Sequence, residues 1–516
     1  MRRRTNRVVI VGGGPVGLVL SILLSHNGVE NVLVESRSRT SVHPKARGIS
    51  ARSMEVLRRM GLEDRVRAAG LPAEHVSMFR GSTLAAADFV RTTVAPGVDG
   101  REVTPAPGVI CSQDVLEAIL FEEARALAGD RIRFGTEFVS LTEHQDSVFA
   151  ELRDVSTGAR SSVEADYLVG CDGSRSDVRR RSGIRMDGDT GLGHFVSVRF
   201  RAPLGDVVAD RASASYFLTP PGRGGFMAID NDTQWIYQYP YDPDVEDPTV
   251  FDEAAWVGII RVAAGIDDLD VSVVDTSAWR MDATLASGYR CGSVFLAGDA
   301  AHAVPPAGGH GMNLGIGDAD NLAWKLAAVL YSGAGDRLLD SYETERRPIA
   351  RQVIDVASGN AGTRGGYRID DELLLTVRYT SDAVAEAVDS DGSSIETGGY
   401  TPSGRPGQLL PHVRVTGSAA ARSTLDMTGL GFTLIYGPVG GAQWSAHIDD
   451  AVRQGFPVAE SVPSDEIWHR LRSLCGLADA GAVLVRPDGH IAWRAEDFGV
   501  GGSLTAALVS LLAKTS

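Results

Sequence analysis

The chain opens with an apolar stretch that glycine breaks at its centre. Residues 8–17 read VVIVGGGPVG, and a helix-compatible segment, LVLSILLSHNG, follows them. A second apolar run, residues 32–34, ends on Glu35. The order of strand, G-x-G-x-x-G turn, helix, strand and acid predicts a βαβ unit that binds a dinucleotide.

Each part of this turn has a physical task. Gly12 permits the tight turn, Gly14 lets the backbone approach a pyrophosphate, and Gly17 lets the helix pack close to the strand. The helix N-terminus presents free N–H groups and a positive dipole end to the phosphates. Glu35 lies about 20 residues on, where an acid binds ribose hydroxyls. Because an acid there disfavours a 2′-phosphate, we expect FAD or NAD rather than NADP.

Hydrophobic spacing changes character in the middle of the chain. Helical spacing follows Ser50 and Ser112, and residues 165–180 show a strand, a turn and a helix start. From about Phe195 to Trp279, short β-like runs are separated by Pro, Gly and Asp. This pattern predicts a mostly antiparallel sheet, inserted as a separate lobe into the nucleotide-binding fold.

The second half returns to an α/β pattern. Residues 293–330 predict a strand, a glycine-rich loop and a long helix, and residues 336–358 predict another helix that Pro348 interrupts. A stretch rich in Gly, Ser, Pro and Asp at residues 388–408 is typical of a linker. Strand-like runs and a closing helix beyond it predict a compact C-terminal domain.

Composition narrows the class of protein. The 516 residues allow two to four domains, and 43% hydrophobic with 22% charged residues is typical of a soluble globular protein. A net charge of −16 disfavours nucleic acid and an anionic membrane as partners. The four cysteines form no CxxC, so we expect reduced thiols, no disulfide framework and no metal site. MRRRTNR and the apolar run after it are similar to a signal peptide, but glycine breaks that run, and we expect a cytoplasmic protein.

Three distant motifs then form one pattern: the GGGPVG turn with Glu35, Cys171-Asp172-Gly173, and Gly298-Asp299. With them the chain resembles the flavin-dependent aromatic monooxygenases of the p-hydroxybenzoate hydroxylase type over roughly residues 6–360. The tail resembles the thioredoxin-like appendage of the larger phenol and polyketide hydroxylases. The resemblance implies an α/β fold: a Rossmann-type FAD-binding domain, an inserted antiparallel β substrate domain and a C-terminal thioredoxin-like domain lacking CxxC. The implied boundaries are 1–75, 100–190 and 280–390 for the FAD-binding domain, 76–99 and 191–279 for the substrate lobe, and 400–516 for the tail.

The resemblance also implies contacts to the cofactor. Asp172 stands in the motif near FAD and the reduced nicotinamide, with Arg179 supporting its loop, and Asp299 accepts hydrogen bonds from ribityl hydroxyls. The remaining cofactor-binding candidates are Gly12, Gly14, Pro15, Val16, Gly17, Glu35, Ser36, Arg47, Gln113, Gly311, Met312 and Asn313. Structural alternatives stay open: a surface arginine at 47, an ordinary helix start at 113, a β-turn at 172 and a helix cap at 299.

The β lobe is expected to cover the substrate. The substrate-lining candidates are Phe217, Met227, Trp235, Tyr237, Tyr239, Pro305 and His310. Alternation along a strand places Trp235, Tyr237 and Tyr239 on one face, which is either a wall for a planar ring or ordinary sheet core. His310 stands where the family commonly carries glutamine, and His302 is interpreted as structural. No general base is chosen, since a tyrosine, a histidine or water could deprotonate a phenol.

Only one dinucleotide fingerprint is present, so NADPH or NADH is expected to bind transiently. The resemblance implies hydride transfer to FAD, addition of O2 at the flavin C4a atom and hydroxyl transfer to a phenolic or polycyclic aromatic ring of polyketide type. Baeyer–Villiger insertion, oxidative decarboxylation and a non-catalytic FAD-binding protein remain alternatives. A halogenase is disfavoured because no two tryptophans are spaced two apart. The expected partner is a small aromatic molecule, and a homodimer is left open.

Overall fold

The computed structural model describes most of the chain. The described residues are 7–71, 78–92, 102–144, 147–220, 222–362, 372–385, 392–415, 422–499 and 502–513. Parts of the expected boundaries near residues 76–99 and of the expected linker at 388–408 lie outside these ranges.

Strands account for the sheets of three domains. Within the described ranges the strands are β1 (Arg7–Val11), β2 (Glu30–Glu35), β3 (Gly48–Ile49), β4 (Met78–Gly81), β5 (Val90–Thr92), β6 (Val109–Ile110), β7 (Ile132–Phe134), β8 (Thr136–Glu143), β9 (Val148–Asp154), β10 (Arg160–Ala165), β11 (Tyr167–Gly170), β12 (Met186–Arg201), β13 (Ser215–Leu218), β14 (Gly225–Ala228), β15 (Gln234–Tyr241), β16 (Ser272–Ala286), β17 (Arg290–Cys291), β18 (Val294–Leu296), β19 (His302–Ala303), β20 (Phe432–Tyr436), β21 (Val458–Ser461), β22 (Ala482–Val485) and β23 (Ile491–Ala495).

Helices pack on one face of the first sheet and support the other two domains. In the same ranges they are α1 (Pro15–His26), α2 (Ala51–Arg59), α3 (Glu63–Ala68), α4 (Gln113–Ala128), α5 (Asp177–Arg181), α6 (Gly205–Val208), α7 (Glu253–Ala264), α8 (Gly311–Tyr331), α9 (Asp340–Gly362), α10 (Gly441–Arg453), α11 (Asp465–Cys475) and α12 (Leu504–Leu511). No helix among the described residues is long and apolar enough to cross a membrane.

The first sheet has the order β17-β18-β11-β1-β2-β7, and every pair except β17–β18 is parallel. Residues Val8 to Val11 are buried because α1 and α4 pack on one side of the sheet and the three-stranded antiparallel sheet β10-β9-β8 packs on the other, which explains the continuous apolar run in the sequence. The Rossmann-type sheet predicted from the glycine turn is confirmed. The carboxyl ends of β1, β11 and β18 lie side by side, and the three motifs follow these ends.

The second sheet is the predicted lobe, with the order β19-β16-β12-β15-β14-β13-β4-β5. Its pairs are antiparallel except β13 with β4. One face packs on α7 through a buried apolar cluster around Trp256. The other face meets the FAD-domain segment at residues 42–47 through three pairs: His43 Nδ1 with Asp275 Oδ1 at 2.7 Å, Arg199 Nη1 with Val42 O at 2.5 Å, and Arg47 Nη2 with Ser215 Oγ at 2.9 Å.

The C-terminal domain has the sheet order β21-β20-β22-β23. β20 is parallel to β21 and antiparallel to β22, and β22 is antiparallel to β23, as expected of a thioredoxin-like sheet. Alternate residues of β20 serve two cores. Ile435 packs with Trp468 of α11, whereas Leu434 joins the main core that the domain shares with the FAD domain.

One expectation about a helix is wrong. Pro348 does not interrupt the second long helix, because α9 continues from Asp340 to Gly362 with Pro348 inside it. A proline lacks the N–H that would bond the carbonyl four residues back, at Thr344. Ser393 Oγ donates to that carbonyl at 3.3 Å instead, so the helix continues without an unsatisfied acceptor there.

Candidate flavin site

The glycine turn forms the floor of the candidate site. Gly12 has a φ of +112°, and a methyl group there would lie 2.3 Å from Cys171 O. A methyl group at Gly17 would lie 2.1 Å from Gly12 O, so both glycines are required by close backbone packing. Gly14 differs, since nothing lies within 4 Å of a methyl group built there. The turn is therefore tight on the protein side and open on the side where a pyrophosphate would approach.

The start of α1 leaves donors available beside this open space. Gly14 is the N-cap, Pro15 occupies the first turn, and no side chain caps the helix. The first helical backbone bond of this turn runs from Leu18 N to Gly14 O at 3.0 Å. The N–H groups of Val16 and Gly17 precede that bond and point out of the helix end, as an anion site requires.

Glu35 ends β2 as an ionised acceptor. Gly13 N donates to its Oε2 at 2.8 Å, and Arg37 donates to its Oε1 through both N and Nε at 2.9 Å. Burial alone would raise the pKa of Glu35, but the hydrogen bonds from Arg37 and Gly13 outweigh it and lower the pKa. Ser36 is exposed, with its hydroxyl 3.4 Å from Glu35 Oε1.

Asp172 joins the second motif to a short helix. Its Oδ2 accepts from the N–H groups of Asp177 at 2.7 Å and Val178 at 3.1 Å, which begin α5. Its Oδ1 is buried without a partner among the described residues, and burial raises the pKa of the carboxyl group. Arg179 donates to Ser174 O and to Ala300 O, both at 2.8 Å. The arginine thus supports the loop as the resemblance implied, and also ties it to the segment that holds Asp299.

Asp299 stands in the short turn Gly298–Ala300 that follows β18. Its side chain is exposed to solvent, yet protein surrounds it closely enough that burial raises its pKa, against the opposing charges of His302 and Lys45. The carboxylate therefore lies in a crevice. The turn also touches the glycine floor, since a methyl group at Gly298 would lie 2.9 Å from Val16 Cγ2.

The start of α8 completes the crevice. No side chain caps this helix, and its first backbone bond runs from Leu314 N to His310 O at 2.8 Å, leaving the N–H groups of Gly311 and Met312 at the helix end. A methyl group at Gly315 would lie 2.6 Å from Val16 Cγ2 and 2.9 Å from Gly298 Cα. The helix therefore packs directly on the first and third motifs.

The side chain of Asn313 joins two segments of the protein, a role separate from that predicted for its backbone N–H. Its side chain accepts from Ser50 N at 2.9 Å and donates to Gly48 O at 2.9 Å and to Gly309 O at 2.7 Å. These bonds fasten the segment before α2 to the start of α8. Sequence reasoning identified the residue by its backbone N–H and missed this positioning role of the side chain.

Arg47 and Gln113 lie together at the rim. The Arg47 guanidinium donates to Ala214 O at 2.8 Å and Ala228 O at 2.9 Å, both in the β lobe. Gln113 accepts from Ala46 N at 3.2 Å and donates through Nε2 to Glu117 at 2.7 Å. Arg47 is thus no free surface arginine. It connects the FAD domain to the lobe, and its contacts to a flavin remain a prediction.

His310 and Pro305 are buried at the mouth of α8. Burial lowers the pKa of His310 to about 4, so the ring is neutral near pH 7. Its Nε2 is buried without a partner among the described residues. His302 is also buried, and its Nε2 lies 2.8 Å from Asp318 Oδ2, as expected of a structural histidine.

Trp235, Tyr237 and Tyr239 do share one face of β15, but the structure places that face in the lobe's own core. All three are buried in the cluster that packs on α7. The ordinary sheet core, the second of the two interpretations, therefore describes them. Apolar residues line both faces of this sheet, so the alternation in the sequence could not say which face meets the FAD domain.

The residues that alternate with these along the strands form the opposite face of the sheet, which meets residues 42–47. Phe217 and Met227 belong to it, and Met227 Sδ lies 2.9 Å from Arg47 Nη2. Phe195 and Trp279 are paired across β12 and β16 and stack with ring centroids 4.4 Å apart and planes 13° apart. Gln238 lies between them and Met227 in the register and is half-buried. Phe195, Gln238 and Trp279 are residues that sequence reasoning missed.

Comparison with known proteins agrees with this geometry. Residues 5–357 match the family described as FAD binding domain, and residues 403–515 match the aromatic-ring hydroxylase C-terminal domain. This chain belongs to the FAD-dependent aromatic-ring hydroxylases. It is accordingly an FAD-dependent monooxygenase that uses NAD(P)H and O2.

Three relatives illustrate the family. The chain is 38% identical to tetracenomycin A2 monooxygenase-dioxygenase of Streptomyces glaucescens, over 99% of this chain and 97% of that protein. Its structure is similar to aklavinone-11 hydroxylase in a ternary complex with FAD and aklavinone, with a TM-score of 0.89, 34% identity and coverage of 99% and 100%. It is also similar to the flavin-dependent monooxygenase PieE in complex with FAD and substrate, with a TM-score of 0.90, 31% identity and coverage of 99% and 100%.

Within this hydroxylase, two further buried residues fix the crevice without reaching it. Asp318 Oδ2 accepts from Gly298 N at 3.1 Å. Arg346 donates to Asp318 Oδ1 and to Leu314 O, both at 2.8 Å. The signal in the sequence was a pair of acids, Asp318 and Asp320, inside the largely apolar helix α8, since buried carboxylates need cationic partners.

Proposed function

We propose that this hydroxylase inserts one oxygen atom of O2 into a planar, polycyclic phenolic substrate of polyketide type. In the balanced reaction a ring C–H becomes C–OH, NAD(P)H and a proton are consumed, and the second oxygen atom leaves as water. The observation that carries the proposal is the meeting of Val16, Gly298 and Gly315 at one crevice, within van der Waals distance of each other. That contact assembles the dinucleotide turn, the Asp299 turn and the start of α8 around one space.

The chain's own groups hold and polarise the cofactor in this proposal. The N–H groups of Val16 and Gly17 would bind the pyrophosphate, and Asp299 would accept hydrogen bonds from ribityl hydroxyls, since a carboxylate only accepts. The N–H groups of Gly311 and Met312 would stabilise negative charge that develops on the flavin on reduction. Bound FAD supplies hydride acceptance and oxygen activation, and the protein supplies position and exclusion of water.

The face of the lobe that meets the FAD domain supports the substrate class. The stacked rings of Phe195 and Trp279 offer a flat apolar surface, and Gln238 offers amide groups to a hydroxyl or quinone oxygen. The names of the relatives point the same way, since they refer to tetracenomycin A2 and aklavinone. A planar polycyclic ring system would use this surface more fully than a single phenol ring.

A substrate panel tests the proposal. FAD-loaded protein is mixed with NADPH or NADH and either single-ring phenols or polycyclic hydroxyquinones, and coenzyme oxidation and product mass are followed under isotopically labelled O2. We expect polycyclic substrates to accelerate coenzyme oxidation and to gain one labelled oxygen with the ring system intact. Product from single-ring phenols alone would contradict the substrate class. A lactone would identify Baeyer–Villiger insertion, and release of CO2 would identify oxidative decarboxylation.

We also infer a cytoplasmic location. Cys111, Cys171, Cys291 and Cys475 are all free thiols, which supports a reducing compartment. Cell fractionation followed by detection of the protein would test this inference. The homodimer remains a prediction that size-exclusion chromatography can check.

A further inference from the structure

The C-terminal domain inserts one tight turn into the FAD domain. Residues 486–490, which we call the RPDGH turn, connect β22 to β23, and Gly489 there has a φ of +83°. Arg486, Asp488 and His490 are all buried. A turn that carries charged side chains into a protein interior needs partners for each of them.

Those partners come from the FAD domain. Arg486 donates to both oxygens of Glu345 in α9, at 2.7 and 2.9 Å, and Lys325 Nζ of α8 donates to the same carboxylate at 2.8 Å. Trp324 Nε1 donates to Asp488 Oδ2 at 3.1 Å. Arg486, Lys325, Glu345 and Asp488 each have an oppositely charged partner although they are inaccessible to solvent, whereas neither ring nitrogen of His490 has a hydrogen-bond partner among the described residues.

A second set of contacts leads from the turn toward the flavin crevice. The His490 ring lies against the Tyr379 ring with centroids 4.3 Å apart. Arg346 Nη1 donates to Tyr379 Oη at 3.0 Å. The same guanidinium holds Leu314 O in the first turn of α8 and Asp318, whose other oxygen accepts from Gly298 N. One arginine thus fixes the spacing of the two segments that flank the Asp299 crevice.

From this chain of contacts we propose that the RPDGH turn is a positioning element for FAD. Through Tyr379 and Arg346 it sets the start of α8 relative to the turn that holds Asp299. Arg52 and Arg59 of α2 also donate to the turn, at Asp488 O (2.7 Å) and Pro487 O, so it is variants at Tyr379 and His490 that report on the route through Arg346.

The charged residues between the RPDGH turn and the FAD domain support a role in positioning the FAD site rather than a role only in holding the two domains together. Five cations are paired there with five anions: Arg486, Lys325, Arg346, Arg52 and Arg59 with Glu345, Asp488, Asp318, Asp320 and Glu55. Buried ion pairs often add little net stability compared with an apolar contact of the same size, because desolvation opposes their attraction. What they do supply is one defined geometry, and here that geometry is transmitted to the backbone at Leu314 and Gly298.

The test removes one hydroxyl. In Tyr379→Phe the ring still contacts His490, but Arg346 loses the oxygen to which it donates. We expect the Kd for FAD, measured by quenching of flavin fluorescence in the apoprotein, to rise about tenfold. We also expect the visible circular dichroism of the bound flavin to change, since its surroundings are less rigidly held.

Tyr436→Phe is the matched control. This variant removes a hydroxyl of the same domain that bonds Glu460 Oε2 at 2.6 Å and Ser445 Oγ at 3.0 Å, remote from the RPDGH turn. We expect its Kd for FAD and its flavin spectrum to match those of the unmodified protein.

A second pair of variants tests the ring contact. His490→Ala removes the ring against Tyr379 and is expected to weaken FAD binding, whereas His490→Phe keeps a ring and is expected to restore it. Each variant is also measured for Tm. If Tyr379→Phe and His490→Ala lower only the Tm, and keep the Kd for FAD and the visible circular dichroism of the unmodified protein, the turn serves stability alone and the proposal is overturned.

Discussion

At the scale of single residues, Asp299 is accessible to a ligand, but its surroundings disfavour the ionised form of its carboxyl group. The carboxylate is exposed in the crevice, and burial by the surrounding protein raises its pKa. Hydroxyl donors from a ribityl chain would stabilise the charged form, because they bond to its lone pairs. FAD binding and ionisation of Asp299 are therefore coupled, and each favours the other.

This coupling predicts both a mutational and a pH effect. Asp299→Ala should weaken FAD binding roughly ten- to hundredfold, the range expected for lost hydrogen bonds to a charged group. In the unmodified protein the Kd for FAD should rise as the pH falls through the raised pKa, and Asp299→Asn should flatten that dependence. Fluorescence titrations across a pH series measure both. Asp130→Ala, at an exposed carboxylate, is the control, and full flavin retention by Asp299→Ala would refute the ribityl role.

Sequence patterns predicted the positions of residues in the crevice better than those of residues at its edge, next to the β lobe. Gly12, Gly17 and Asp172 follow strand ends, so the topology of a parallel sheet brings them together without further information. Arg47 shows what could not be predicted. Its guanidinium is held by carbonyl groups of Ala214 and Ala228, residues whose position depends on how the lobe docks. Contacts between domains leave no periodic signal in a sequence.

At the scale of elements, different glycines of the βα turn after β1 serve protein packing and cofactor binding. A methyl group at Gly14 meets no protein atom within 4 Å, and the residue has φ −79° and ψ −176°, which alanine adopts readily. Gly14→Ala should therefore fold with an unchanged Tm as apoprotein but bind FAD weakly, because the methyl group occupies the approach of the pyrophosphate. Gly12→Ala should lower the Tm as well, since its methyl group would lie 2.3 Å from Cys171 O. Equal FAD affinity in Gly14→Ala and the unmodified protein would contradict the proposed pyrophosphate site.

The two faces of the lobe sheet are expected to differ in role: one binds substrate, and the other stabilises the fold. Trp279 is half-buried on the face that meets the FAD domain, and Trp235 is fully buried on the α7 face. Trp279→Ala should raise the KM for a polycyclic substrate with flavin content and Tm nearly unchanged. Trp235→Ala should instead lower the free energy of unfolding by about 3–5 kcal/mol, the cost of a large cavity in a core. Steady-state kinetics and urea unfolding distinguish them, and an unchanged KM in Trp279→Ala would remove that residue from the substrate site.

Helices and strands were predicted correctly where the sequence pattern is compatible with a single structure. The glycine turn, the long helix α8 and the antiparallel lobe follow from their patterns. The continuity of α9 through Pro348 does not, because the group that bonds the carbonyl left free by the proline is Ser393, which lies outside the helix and far along the chain. The parity of β15 also stayed ambiguous, since Trp235 and Ile236 are both buried although they point to opposite faces.

At the scale of the whole molecule, the C-terminal domain and the FAD domain share one interior. Trp324 of α8 meets Phe432 of β20 edge to face with centroids 5.7 Å apart, and both belong to the main core. Beside that contact lies the paired cluster of Arg486, Glu345 and Asp488. The sequence of the tail contains no CxxC motif, and no sequence pattern predicted its buried ionic contact with the FAD domain.

Two methionine substitutions measure what this shared interior contributes. Arg486→Met leaves Asp488 and Glu345 buried with fewer counter-charges, and we expect the free energy of unfolding to fall by about 3–5 kcal/mol, as for other broken buried ion pairs. Arg414→Met is the control, because Arg414 also joins the C-terminal domain to the FAD domain, through Glu102, but in solvent. Solvent and salt already screen that pair, so its loss should change stability little. Urea unfolding followed by circular dichroism compares the two variants, and similar stability losses in both would mean that the buried cluster is not what holds the domains together.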